Sequence, residues 1–145
     1  MATPKWYVYG MDACLGATPG PIDLDSDTIK FALYTSSWTP NQSTDQYRST
    51  PNANEATGGS GYTAGGFTLA SKTLTIASLT VKWDAADISQ AITGGPFAFR
   101  YGAFYKNVGS PATDPLIGYV DFGAQSITDA TLNITLTDQL QVTCS

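Results

Sequence analysis

Residues 23–35 read DLDSDTIKFALYT, and the fold class turns on how that stretch is taken. Asp23, Asp25 and Asp27 stand at alternate positions, as they would at the opening of a calcium loop or in the polar lead-in to a strand. An EF-hand loop also needs Gly at its sixth position for the sharp turn and a bidentate Glu at its twelfth. Counted from Asp23, those positions hold Thr28 and Tyr34, so the calcium reading fails. Beyond the acidic residues, Ile29, Phe31 and Leu33 alternate with Lys30, Ala32 and Tyr34. Period-two alternation marks a strand, and Asp is a turn former rather than a strand former. The triplet is a solvated turn that leads into a β-strand.

The same signature recurs along the chain. Leu74–Ile76, Leu79–Trp83, Phe97–Lys106, Leu116–Phe122, Leu132–Leu136 and residues 140–144 are short apolar or Thr-rich runs, and residues 6–9 (WYVY) read as another near the N-terminus. Thr suits strands because its branched carbon fits a pleated surface. Residues 93–96 (TGGP), 109–111 (GSP) and Gly123 punctuate the runs as turns. Strands at such spacing predict an all-β fold, an antiparallel β-sandwich or jelly-roll-like single domain. Residues 84–92 are the one helical candidate, and they read as a single helical turn or none. Residues 22–145 form the sandwich domain in this reading. Residues 1–21 are an N-terminal arm or an extra edge strand.

At 145 residues the chain is long enough for one domain that buries roughly 70% of the unfolded surface. No run approaches the roughly 20 apolar residues of a membrane span, and the N-terminus lacks the blocks of a secretory signal. The net charge is −5, with seven Lys and Arg scattered singly. A nucleic-acid partner normally calls for a clustered basic face, so none is expected, and no membrane partner either. The chain has no His, which removes the commonest general base and metal ligand. Its single Glu, Glu55, lies in a polar loop. Cys14 and Cys144 stand near opposite ends, bridged or free, and neither resembles a zinc site or an activated thiol. Gly58–Gly61 lacks the Gly-Lys-Ser/Thr and the helix of a phosphate loop. Asp84, Asp87, Asp114 and Asp121 could pair as glycosidase carboxylates only if the fold brought two together. Asp121 reads more simply as a carboxylate on the solvent face of an edge strand. No enzyme, cofactor or metal is expected.

Residues 36–66 stand apart as a long polar loop rich in turn formers. A loop of that length inside a compact domain is usually functional or disordered. It carries Trp38, Tyr47, Arg48 and Tyr62, residue types that anchor protein interfaces. Such side chains either form a contact surface or fold back as a lid. With Trp6, Tyr7 and Tyr9 of the arm, they are the candidate interface residues.

Three stretches then carry a resemblance. DLDSDTIKFALYTSSWTPN (23–41), GSGYTAGGFTLASKTLT (59–75) and RYGAFYKNVGSPATDPLIGYVDFG (100–123) resemble, in the same order, a group of small structural proteins of tailed bacteriophages. The first matches the pattern at Asp23, Asp25, Asp27, Ile29, Lys30, Ala32 and Leu33. The second is a Gly-Tyr-Thr-x-Gly-Gly segment before a Thr-rich strand. The third is an aromatic strand, a Pro/Thr/Asp turn and a return strand ending in Asp-Phe-Gly. The residues before 22 depart from the pattern. The resemblance implies a non-enzymatic virion component, most like a capsid decoration (cement) protein. Such a protein is made in the bacterial cytoplasm and placed on the outer capsid surface. Its expected partners are the major capsid protein and copies of itself, a trimer being preferred to a dimer on analogy. The alternative is a tail or head-fibre module that recognises a host-surface glycan or protein through its aromatic residues.

Overall fold

The computed structural model describes residues 3–16, 21–137 and 139–143. Its centre is the stretch that opened the sequence reading. Strand β2 (Ile29–Tyr34) pairs antiparallel with β7 (Phe97–Lys106), from Ile29 opposite Lys106 to Tyr34 opposite Tyr101. β7 pairs in turn with β8 (Leu116–Ile127). Short strands close the sheet, β1 (Lys5–Trp6) beside β8 and β3 (Phe67–Thr68) beside β2. The order is β1-β8-β7-β2-β3.

The second layer is built from β4 (Thr73–Ala77), β5 (Thr80–Asp84) and β10 (Leu140–Thr143), in the order β10-β5-β4, and from β6 (Ile88–Ile92) paired with β9 (Ala130–Ile134). Every pairing is antiparallel. The molecule is an all-β, sandwich-like single domain, as the alternation predicts. Between the layers lie Ile29, Phe31, Leu33, Phe97, Phe104, Ile117 and Val120 from the large sheet. Trp83, Ile92, Leu132, Ile134 and Leu140 meet them from the other layer. The Trp83 and Phe104 rings meet edge to face at 5.5 Å. Gly102 is required where it stands, because a Cβ there would lie 2.0 Å from the Phe31 ring.

Strands buried on one face only should alternate buried and exposed residues. β2 does not, since Phe31 through Tyr34 are all 0% exposed. Its second face is covered as well, by a layer holding Tyr7, Ala32, Tyr34, Trp38, Tyr101, Ala103, Tyr105, Leu116 and Tyr119. A β-bulge between Phe99 and Tyr101 allocates β7 to both layers. Phe97 and Phe99 join the sandwich core, and Tyr101, Ala103 and Tyr105 face the other way.

One local expectation is overturned, and two alternatives left open by the sequence are decided. In residues 6–9, only Trp6 is in a strand. From Val8 the chain forms helix α1 (Val8–Cys14), seated on β8 through Gly10, where a Cβ would come within 2.5 Å of the Ile117 carbonyl. Residues 84–92 hold no helix, and Ile88–Ile92 are strand β6. Of the two readings of the N-terminal segment, the extra edge strand is the one seen at Lys5–Trp6, and the residues after it pack down: Tyr7 N–H donates to the Ile117 carbonyl at 3.0 Å, and Tyr7 and Ala13 are 0% exposed.

The acidic triplet is a turn. Asp23 Oδ1 accepts from the Asp25 and Ser26 N–H groups at 3.0 and 3.1 Å. Hydrogen bonds, from Ser26 first, hold the Asp23 carboxyl below its ordinary pKa. Asp27 Oδ2 accepts from Asp23 N–H and pairs with Lys106 Nζ, both at 2.8 Å.

Candidate functional site

Of the candidate interface residues, Tyr7 and Trp38 belong to the layer that covers the large sheet and Arg48 lies against its Tyr105, whereas Trp6 and Tyr62 pack against the sandwich core. Trp38 is 5% exposed; its ring lies edge-on to Tyr34 and Tyr101, with centroids at 5.0 and 5.7 Å, and its Nε1–H donates to Asp45. Arg48 is 8% exposed. Its Nε donates to Asp114 Oδ2 at 3.1 Å, its Nη1 reaches Asn52 and Glu55, and its guanidinium lies 4.8 Å from the Tyr105 ring centre. Tyr62 donates to Glu55 Oε1 at 2.8 Å and accepts from Leu33 N–H at 2.9 Å. Burial first, then the Glu55 charge, raises the Tyr62 pKa. Tyr47 makes an isolated bridge to Pro115. Glu55 is thus the hub of a clamp rather than a loose loop residue: it bridges to Tyr34 through its backbone and accepts from Gly65 N–H. The long loop is a lid over its own sheet.

The N-terminal aromatics divide. Tyr7 is fully buried against Tyr119, at 5.5 Å, and burial raises its pKa strongly. Tyr9 is half-buried on α1. Trp6 is half-buried, donates to the Gln141 carbonyl at 3.2 Å and forms one rim of a groove.

That groove is the feature the sequence did not disclose. Its volume is about 480 Å³. Trp6, Met11, Cys14 and Leu15 form one wall, and Ile22 and Leu24 close an end. The other wall is a sheet face. Opposite one another in register stand Leu74, Trp83 and Leu140, and beyond them Ile76, Val81 and Val142. The first rung runs down into the core, where Trp83 and Leu140 are buried. The second runs out of it: Val81 and Val142 are each 38% exposed and Ile76 80%. Leu74, Leu79 and Leu15 add to the open apolar surface. Every residue of β4 is exposed. Scattered surface apolar residues are ordinary, but a contiguous patch marks a contact site. Burial pushes the Cys14 thiol on the groove wall up to about 11, which keeps it protonated and unreactive at neutral pH. Among the described residues Cys14 has no disulfide partner. Its pairing with Cys144 falls outside the described residues.

A second depression, of about 470 Å³, lies between Phe99 and Phe122 on one side and Gln125, Thr131 and Asn133 on the other. The four aspartates weighed as carboxylate pairs each hold structural partners. Asp114 is bound by Arg48, Asp121 by a two-pronged contact from Arg100 at 3.0 and 2.9 Å, Asp87 by Leu136 N–H and Asp84 by Ala85 N–H. Among the described residues no group of three His, Cys, Asp or Glu could hold a metal, and no helix is long and apolar enough to cross a membrane. Comparison with known protein families, curated proteins and solved structures finds no match to this chain.

Proposed function

We propose that this chain is a non-enzymatic virion structural protein that binds the outside of a bacteriophage capsid and bridges neighbouring major capsid protein subunits. The three stretches that resemble small phage structural proteins motivate the reading. The observation that carries it is the open apolar face of the β10-β5-β4 sheet beside Trp6 and α1. A decoration protein needs a rigid scaffold and an exposed contact surface, and here a lid and a sandwich brace a sheet whose outer rung is bare. Contacts repeated across several shell subunits add up to lasting attachment even where each is weak.

Copy number tests the proposal. Quantified by mass spectrometry on purified particles, the chain should stand at a simple fraction of the major shell protein. A handful of copies, or none, would sink it. Val81→Asp places a charge on the bare rung and should abolish binding to undecorated shells while the fold survives.

A second reading, a tail or head-fibre module for a host-surface glycan, is favoured by the Phe99/Phe122 depression, where aromatic rings adjoin amide and hydroxyl side chains. Phe122→Ala would then reduce adsorption to host cells, and no change in adsorption would remove that reading.

A further inference from the structure

The face of the β10-β5-β4 sheet and its edge are separate surfaces. β4 pairs with β5 on one side, and among the described residues nothing pairs with the other side. Natural proteins blunt such edges with charge, Pro, bulges or a covering element, because a bare row of N–H and C=O groups recruits another strand. At the side of β2 the rule is kept. The outer edge of β2 is taken by β3 and then by loop backbone: Thr35 N–H donates to the Asn54 carbonyl, Ala56 N–H donates to the Leu33 carbonyl, and Tyr62 accepts from Leu33 N–H. β4 reads Thr73-Leu74-Thr75-Ile76-Ala77, with no charge, no Pro and all five residues exposed.

Its sequence also says what would fit. Antiparallel pairing places directly opposed residues on the same face, and a slip of one residue exchanges the faces. Two copies of β4 centred on Thr75 bring Leu74 opposite Ile76, Thr73 opposite Ala77 and Thr75 opposite Thr75. All five residues are paired, apolar against apolar on one face and small or hydroxyl residues on the other. Lys72, the nearest charge in sequence, falls opposite Ser78 of the second copy, well away from its own counterpart. No like charges meet, although each copy carries net charge −5.

We infer that β4 is a self-pairing edge: two copies of this chain join β4 to β4, antiparallel, about a two-fold axis through Thr75. The product is a continuous six-stranded sheet in which Leu74 and Ile76 of both copies form a shared apolar row. Such an interface is isologous and closes on itself. Edge pairing leaves the face of the sheet open, so it does not compete with the shell contact proposed above and does not depend on it.

The test uses the purified chain alone, so a failure here leaves the capsid reading standing. Light scattering after size exclusion should give a dimer, and a monomer or a trimer would overturn the inference. Register is checked with cysteines. Directly opposed antiparallel residues have Cα atoms roughly 4.5–5.5 Å apart, inside the range of roughly 4.4–6.8 Å that a disulfide accepts. Thr75→Cys should therefore cross-link to a covalent dimer under mild oxidation, above the background of the unsubstituted chain. Thr73→Cys, whose opposite number is Ala77, should not. Equal cross-linking of the two would rule out the Thr75 axis. Ile76→Lys should weaken self-association by roughly tenfold or more, a ΔΔG of about 1.4 kcal/mol, with an unchanged circular dichroism spectrum. A folded Ile76→Lys that remains dimeric at the same concentrations would also overturn the inference.

Discussion

Arg48 shows how a single side chain decides the fate of the long loop. Its guanidinium satisfies Asp114, which is 0% exposed and also accepts the Val108 and Gly109 N–H groups. Removing one partner of a buried pair strands the other charge and costs about 3–5 kcal/mol. Arg48→Ala should therefore lower the urea midpoint steeply and free residues 36–66 to proteases. The tyrosines give a finer comparison. Tyr62 bridges Glu55 and Leu33 N–H, whereas the buried hydroxyls of Tyr7 and Tyr34 have no partner among the described protein groups. Tyr62→Phe should cost about 1.5–3 kcal/mol, and Tyr7→Phe nothing or a slight gain, because an unmatched buried polar group is itself a cost. Thermal melts of the two variants would settle the ordering. The phenols also fix an alkaline limit. Burial raises the pKa of Tyr7, Tyr34 and Tyr62, pushes Tyr105 up to about 12, and pushes Cys14 up to about 11. The folded chain therefore holds these protons more tightly than the unfolded chain does. The Cys14 contribution is whole below about pH 8 and is lost as pH rises through about 11; that of Tyr105 is whole below about pH 9 and is lost through about 12, and the other tyrosines begin to lose theirs over the same range. Urea midpoints measured from pH 8 to 11 should fall, and a flat profile would contradict the burial of these groups.

At the scale of elements, α1 and β4 mark the limits of what alternation reveals. The alternation of Ile29, Phe31 and Leu33 and the run Phe97–Lys106 are legible because they cover the central pair of the large sheet from end to end. The four-residue pattern of Trp6–Tyr9 is too short to separate strand from helix. What decides it is tertiary: Gly10 lets a helical turn lie on the β8 backbone, and Val8 N–H donates to the Gln42 carbonyl of the lid. Gly10→Ala should push α1 off β8 at a cost of about 1–3 kcal/mol and widen the groove, visible as a new dye-binding surface. The sequence left the long loop open between a contact surface and a lid. Trp38 and Arg48 have the composition of an interface, and the second, equally apolar face of β2 and β7 is where they pack, while Tyr62 turns to the sandwich core. For β4 the sequence gives the strand, yet only the strand order leaves it at an uncovered edge.

For the whole molecule, the arrangement is a sandwich with a third, irregular layer, in which one sheet is sealed on both sides and the other ends in a bare rung. Stability and contact are thus assigned to different parts. Substitutions on the exposed rung should alter association and leave the melting temperature nearly unchanged, while changes under the lid should do the reverse.

One feature of the large sheet also sets a schedule. Lys5 pairs with Tyr119, so the first strand of the chain cannot find its neighbour until more than a hundred later residues have been made. At roughly 5–20 residues per second, the N-terminal segment waits on the order of ten seconds. During that interval Trp6, Tyr7 and the apolar side of α1 have no sheet to rest on. A nascent chain halted before β8 should therefore be captured by chaperones and cut within its first twenty residues. A chain halted beyond β10, once fully clear of the ribosome, should resist both.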